Sequence, residues 1–232
     1  MTAPRTGSAT RVSDRVLRWH VARCRRKSDT RPEFLLEIAR CVEIAARGPD
    51  AAPLLEIGTR SGGSALLMLR VLDSMYRDGT RRPTVITVDP YGSRPYEGEP
   101  YVYDERHYGK MKKNLAGYTN HIHYMMDSEL FLQKLDDIYL WSDGTKQGLN
   151  RFSVVYLDGS HDPTIVWSEI ERLLPRVVPG GFLIVDDTEW FDFAVRKRLD
   201  AAAPGWGVTL RHTAKQSILR TDQSPAEIKN AP

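Results

Sequence analysis

The chain has 232 residues, of which 33 are basic and 30 acidic, for a formal net charge of +3. That near balance does not fit a dedicated nucleic-acid binder, and no stretch approaches the roughly 20 continuous apolar residues that cross a membrane. Cys24 and Cys41 are the only cysteines, too few for a disulfide framework or a zinc site, and the arginine-rich start lacks the apolar core of a secretory signal. One large α/β domain in a reducing cytoplasm is the expectation.

Near the start, Arg11, Arg15, Arg18, Arg23, Arg25, Arg26 and Lys27 surround Val12, Val16, Leu17, Trp19 and Val21. This is the pattern of a basic amphipathic helix, whose charged side is either solvated or a dock for RNA or an acidic partner. Thr30-Arg31-Pro32-Glu33 has the form of a capping box with Thr30 as N-cap and proline in the first turn. Phe34, Leu35, Ile38, Val42 and Ala45 then recur on one side of a helix that Gly48-Pro49 ends. Residues 1–50 are read as an N-terminal helical extension and 51–232 as one globular unit.

From Pro53 the chain alternates. A strand over 54–58, a helix over 64–76 and a strand over 84–89 imply a parallel pair with a right-handed crossover. Further strands are expected over 122–126, 153–157 and 182–185, with helices around 108–115, 163–176 and 191–201. Asp162-Pro163 is a good helix start, and Pro179-Gly180-Gly181 a turn. Strands over 208–210 and 217–219 suggest a terminal antiparallel hairpin, giving a doubly wound, seven-stranded, mostly parallel sheet. Two segments break the rhythm. Residues 90–107, with Tyr91, Tyr96, Tyr101 and Tyr103, either close over a substrate or pack their tyrosines on the scaffold, and 140–151 reads as a polar surface loop.

Three aspartates carry the chemistry: Asp158 in Leu157-Asp158-Gly159-Ser160-His161, and the pair Asp186-Asp187 after Gly181-Phe182-Leu183-Ile184-Val185. Each follows an apolar run that reads as a buried strand. On neighbouring strands the carboxylates would crowd one spot, and like charges at that range call for a hard cation with oxygen ligands, magnesium, manganese or calcium. The turn Glu56-Ile57-Gly58-Thr59-Arg60-Ser61-Gly62-Gly63-Ser64 puts glycines where backbone must pass close to a ligand, with a helix N-terminus beyond. Its spacing is not the G-x-G-x-x-G of dinucleotide sites. Asp89 ends the next strand, where a carboxylate can accept two hydrogen bonds from ribose hydroxyls.

In this order the motifs resemble the class I S-adenosylmethionine (SAM)-dependent methyltransferases over roughly residues 54–221. The resemblance implies a Rossmann-like fold and SAM as cofactor, with Gly58, Thr59 and Ser64 at its methionine part and Glu56 supporting the loop. It places Asp89 at the ribose and Asp127 with Ser128 at the adenine. Within the superfamily, D-G-S-H, a capped helix, P-G-G, a strand and D-D are similar to the group containing macrocin O-methyltransferases and cephalosporin hydroxylase-type proteins. That likeness implies magnesium held by Asp158, Asp186 and Asp187, with Asp158 also at the cofactor and in catalysis.

The activity so implied is O-methylation of a small-molecule hydroxyl on a natural-product sugar, nucleoside or polyketide-like acceptor. It is an in-line displacement in which positioning dominates. A metal would hold two adjacent acceptor oxygens, and His161 is the candidate base, its alternative role being to hydrogen-bond the loop. Some macrocin-type relatives carry an acid two places after the first metal aspartate, whereas Ser160 stands here. Trp190 and Phe191 either stack on the acceptor or cap the core. An RNA methyltransferase is disfavoured by the absence of an N/D-P-P-Y motif after the fourth strand, and a hydroxylase by the lack of an iron-type two-histidine and carboxylate set. A non-catalytic cofactor-binding role is the third rival, and a homo-oligomer is expected.

Overall fold

A computed structural model of the chain describes residues 9–47, 51–76, 82–92, 104–142 and 145–222. Its strands are β1 (Leu54–Ile57), β2 (Val85–Val88), β3 (His121–Tyr124), β4 (Tyr139–Ser142), β5 (Thr145–Gly148), β6 (Phe152–Leu157), β7 (Val177–Val185), β8 (Val208–His212) and β9 (Ser217–Thr221). Its helices are α1 (Asp14–Cys24), α2 (Pro32–Ala45), α3 (Gly63–Met75), α4 (Glu105–Leu115), α5 (Ser128–Lys134), α6 (Pro163–Leu173) and α7 (Trp190–Trp206). Seven strands form one sheet in the order β3-β2-β1-β6-β7-β9-β8, parallel from β3 to β7, with β9 and β8 antiparallel. The doubly wound sheet with its terminal hairpin is thus the fold that forms.

The central strands read as continuous apolar runs because both faces are covered. Successive side chains alternate between them. Leu54, Val85, Val154, Tyr156 and Ile184 join a core with α1, α2 and α3. Leu55, Ile86, Val155, Leu157 and Leu183 join the other with α5, α6 and α7.

The basic helix α1 turns Leu17 and Val21 inward against this core. The Val12 amide donates to Glu43 Oε1 at 3.1 Å and His20 Nε2 meets Ser74 Oγ at 2.7 Å, so the N-terminal segment is tied to α2 and α3. Part of its positive surface is balanced by Asp14, which pairs with Arg18 at 2.8 Å and Arg40 at 2.9 Å.

Several details differ from the expected pattern. Helix α2 begins at Pro32, but its N-cap is Arg31 without a side-chain bond, while Thr30 is buried at the wall of the site rather than capping the helix. The expected stop at Gly48-Pro49 lies outside the described residues. Most of the expected loop at 140–151 belongs to the β4–β5 hairpin, which Leu140 within β4 and Leu149 just after β5 anchor in the core. Helix α5 was not anticipated; the Asp127 side chain caps it by accepting the Leu130 amide at 2.7 Å. Of the tyrosine-rich segment, Tyr96, Tyr101 and Tyr103 lie outside the described residues, whereas Tyr91 is buried and donates to the Arg60 carbonyl at 2.5 Å. Among the described residues no helix is long and apolar enough to cross a membrane.

Candidate active site

Register places the site. Ile57 is level with Val88 on one side and Leu157 on the other, and Leu157 is level with Val185. The next residue of each strand therefore lies on one rim, aligning Asp89, Gly58, Asp158 and Asp186. Backbone bonds continue the ladder one step beyond, from Gly58 to Val88 at 2.9 Å, Asp158 to Ile57 at 2.8 Å and Asp186 to Leu157 at 2.9 Å. The strand order reverses at β1, with β2 and β6 on either side, and open α/β sheets bind ligands at the carboxyl ends beside such a reversal.

The turn after β1 is shaped by close approach. Gly58 has φ +89°, and a Cβ there would lie 2.0 Å from the Asp158 carbonyl oxygen, so no other residue fits. Gly62 has φ +74° and opens α3. A Cβ on Gly63 would meet the Lys27 carbonyl at 2.5 Å, so the segment before α2 lies directly on this turn. Arg60 and Asp29 form an ion pair across it. Behind the turn, fully buried Glu56 accepts a short hydrogen bond from Ser64 Oγ, and burial raises its pKa to about 8. Asp89 accepts the Arg60 amide at 2.8 Å and the Tyr91 amide at 3.1 Å. Burial pushes the Asp89 pKa up and these donors oppose the shift.

The acidic cluster is held by residues the sequence did not announce. The Tyr156 hydroxyl lies 2.7 Å from Asp186 Oδ2 and 3.0 Å from Asp158 Oδ2, and Lys215 Nζ lies 2.6 Å from Asp187 Oδ1 and 3.6 Å from Asp186 Oδ2. His161 Nε2 faces Asp187 Oδ2 at 2.9 Å. Burial raises Asp158 well above the usual carboxylate range, reinforced by Asp186 and Asp187. Burial also raises Asp186 against the opposing charge of Lys215. For Asp187 burial is outweighed by hydrogen bonds from His161 and Lys215, and its pKa is lowered. Asp187 sits at φ +52°, where the chain reverses into α7. Trp190 at the start of α7 is 41% exposed and sets its ring 4.1 Å from that of His161.

One cavity of about 620 Å³ joins these parts. Gly58, Thr59, Ser64, Asp89, Asp127, Ser128, Asp158, His161 and Asp187 all line it, as do Lys27, Thr30 and Lys215. Glu56 and Asp186 stand behind its wall. The ligand atoms that converge, all within 4.8 Å of one another, belong to Asp158, His161 and Asp187, so Asp186 lies next to that set rather than in it. Lys215 and Tyr156 escaped the sequence reading because nothing marks a hairpin lysine or a strand tyrosine as aimed at a site. The position of Tyr156 two residues before Asp158, on the same side of β6, was the available signal.

A sheet of this order, a glycine turn at its reversal and an acid closing β2 define a class I SAM-dependent methyltransferase. A methyltransferase-domain family model matches residues 55–188, and the chain belongs to that family. No curated protein sequence matches the chain. Solved structures are similar in fold. The O-methyltransferase from Bacillus cereus in complex with SAH is 17% identical, with a TM-score of 0.57 over 90% of this chain and 92% of that one. TomG from Streptomyces achromogenes, an O-methyltransferase involved in tomaymycin synthesis solved with SAM, is 18% identical, with a TM-score of 0.55 over 88% and 89%. CalS11, a TDP-rhamnose 3′-O-methyltransferase of calicheamicin biosynthesis, is 13% identical, with a TM-score of 0.54 over 89% and 93%.

Proposed function

We propose that the protein transfers the methyl group of SAM to a hydroxyl of a small natural-product acceptor, such as a sugar, with a divalent cation at the acidic cluster. The observation carrying this reading is that the glycine turn, Asp89 and the Asp158–His161–Asp187 set share one cavity. The acceptor class is suggested by the fold likeness to CalS11 and TomG.

Bound SAM supplies an activated methyl on a sulfonium, so the protein's task is to position and deprotonate the acceptor. Gly58 lets the β1 turn pack against the Asp158 backbone at the edge of the cavity, and Asp89 stiffens the turn through the Arg60 and Tyr91 amides. His161, paired with Asp187 at 2.9 Å on the cavity wall, is the candidate base for the acceptor proton. Asp187 orients the ring and stabilises the imidazolium that forms. Trp190, packed against the same ring, offers an apolar face to the acceptor. Lys27 and Thr30 complete the cavity wall from the segment before α2.

The donor set suits magnesium, manganese or calcium. Oxygens of Asp158 and Asp187 converge with a ring nitrogen of His161, and the buried Asp186 Oδ1 has no hydrogen-bond partner among the described residues. Asp158 and Asp187 would hold such an ion with Asp186 in support, and it would lower the pKa of a bound hydroxyl.

The test is a panel of hydroxyl-bearing sugars, nucleosides and phenols incubated with SAM, with magnesium or with chelator, read by SAH formation and by mapping the methylated atom. Methylation of oxygen, lost on chelation, is expected. Methylation confined to nitrogen or to RNA overturns the reading, and oxygen transfer undiminished in chelator removes the metal from it.

A further inference from the structure

We propose that the Lys215 ammonium is the built-in cation of the acidic cluster in the metal-free protein, and that a divalent ion enters only by displacing it. The inference rests on the metal-binding reading above.

Both oxygens of Asp187 are occupied. Oδ1 meets Lys215 Nζ at 2.6 Å and Oδ2 meets His161 Nε2 at 2.9 Å. An ion ligated by Asp187 must therefore take over one of these places. A neutral His161 ring does not repel the ion and can stay beside it. The ammonium cannot, because it has no lone pair and repels a second cation at contact distance. The same Nζ is 3.6 Å from Asp186 Oδ2, so its removal exposes two carboxylates at once.

The hairpin around Lys215 lets its side chain move while its backbone stays. The Lys215 carbonyl accepts the Thr188 amide at 2.9 Å and the Thr188 hydroxyl at 3.1 Å. Thr213 Oγ1 accepts the Gln216 amide at 2.8 Å, and Arg196 donates to the Thr213 carbonyl at 3.1 Å. The turn is thus bolted to the strand-end segment that carries the acids. The Lys215 side chain is 25% exposed, so its flexible stem has a path out of the cluster. Without a cation, carboxylates this close would take up protons. Lys215 offsets their charge until metal arrives.

The test measures Mn²⁺ affinity by calorimetry for the wild type, K215M and K215Q, with circular dichroism as a check on folding. Both variants are expected to bind Mn²⁺ more tightly, by about tenfold or more. Reductive methylation of the wild type with isotopic formaldehyde, followed by peptide mapping, is expected to label Lys215 faster when Mn²⁺ is present. This second arm decides if the variants do not fold. Unchanged or weaker binding in folded variants, or labelling indifferent to Mn²⁺ in a wild type that binds it, overturns displacement. No binding by any of the proteins overturns the metal reading itself, and displacement with it, an outcome distinct from the first.

Discussion

Glu56 ends up buried behind the glycine turn with Ser64 as its hydrogen-bond donor and with no partner for Oε2 among the described residues. Burial raises its pKa from 4.5 to about 8. A carboxyl whose pKa is higher folded than unfolded stabilises the fold while it is protonated. Its contribution is complete below about pH 4.5, declines as the unfolded chain ionises, and is gone above about pH 8. Each tenfold change in proton affinity is about 1.4 kcal/mol, so this gap sets an upper limit of about 5 kcal/mol. In E56Q the amide oxygen still accepts from Ser64 and the side chain no longer titrates. Urea unfolding of both proteins without cofactor, across this pH range, is the assay. Relative to E56Q, the wild type should lose stability by up to about 1.4 kcal/mol per pH unit, since other titrating groups cancel in the difference. A difference flat with pH would mean that Glu56 ionises in the fold as it does in water, and that burial does not govern it.

Two further substitutions bear on the turn. G58A should cost more than about 3 kcal/mol, because it combines positive φ with a Cβ driven into the Asp158 carbonyl. G180A, at φ +76° with nothing within 4 Å of the added carbon, should cost only about 1 kcal/mol; equal losses in urea unfolding would show that close approach does not select Gly58. D89A should weaken SAH binding by about tenfold or more in calorimetry, since it removes the acceptor for the Arg60 and Tyr91 amides, and undiminished affinity would contradict its role.

The sheet was legible because its central strands are short, mostly apolar runs separated by recognisable helix starts such as Asp162-Pro163, whose aspartate accepts the Thr164 amide at 2.7 Å. The β4–β5 hairpin was missed although Asp143-Gly144 stands between its strands, a strong hairpin signal that the polar composition around it masked. The capping box at Thr30 failed for a different reason. Its motif is local, but the tertiary fold buries Thr30 and the helix starts one residue later, at an N-cap of Arg31, and sequence spacing carries no information about such burial.

The site divides along the same line. Acids at strand ends were readable, because a polar residue closing a buried run can point only to the rim. What ties them together was not readable. Tyr156 touches both Asp158 and Asp186, yet a phenol has one proton to donate. It can serve only one of the two ionised, so the other contact is satisfied when the second carboxyl keeps a proton of its own. The shorter bond is to Asp186, and Asp158 is the acid that burial and its neighbours push well above the usual range, so Asp158 is the one that more readily holds a proton. If the cluster holds a divalent ion as proposed, loading must displace that proton as well as move Lys215, so Mn²⁺ affinity measured by calorimetry should rise with pH, and an affinity flat with pH would refute the coupling.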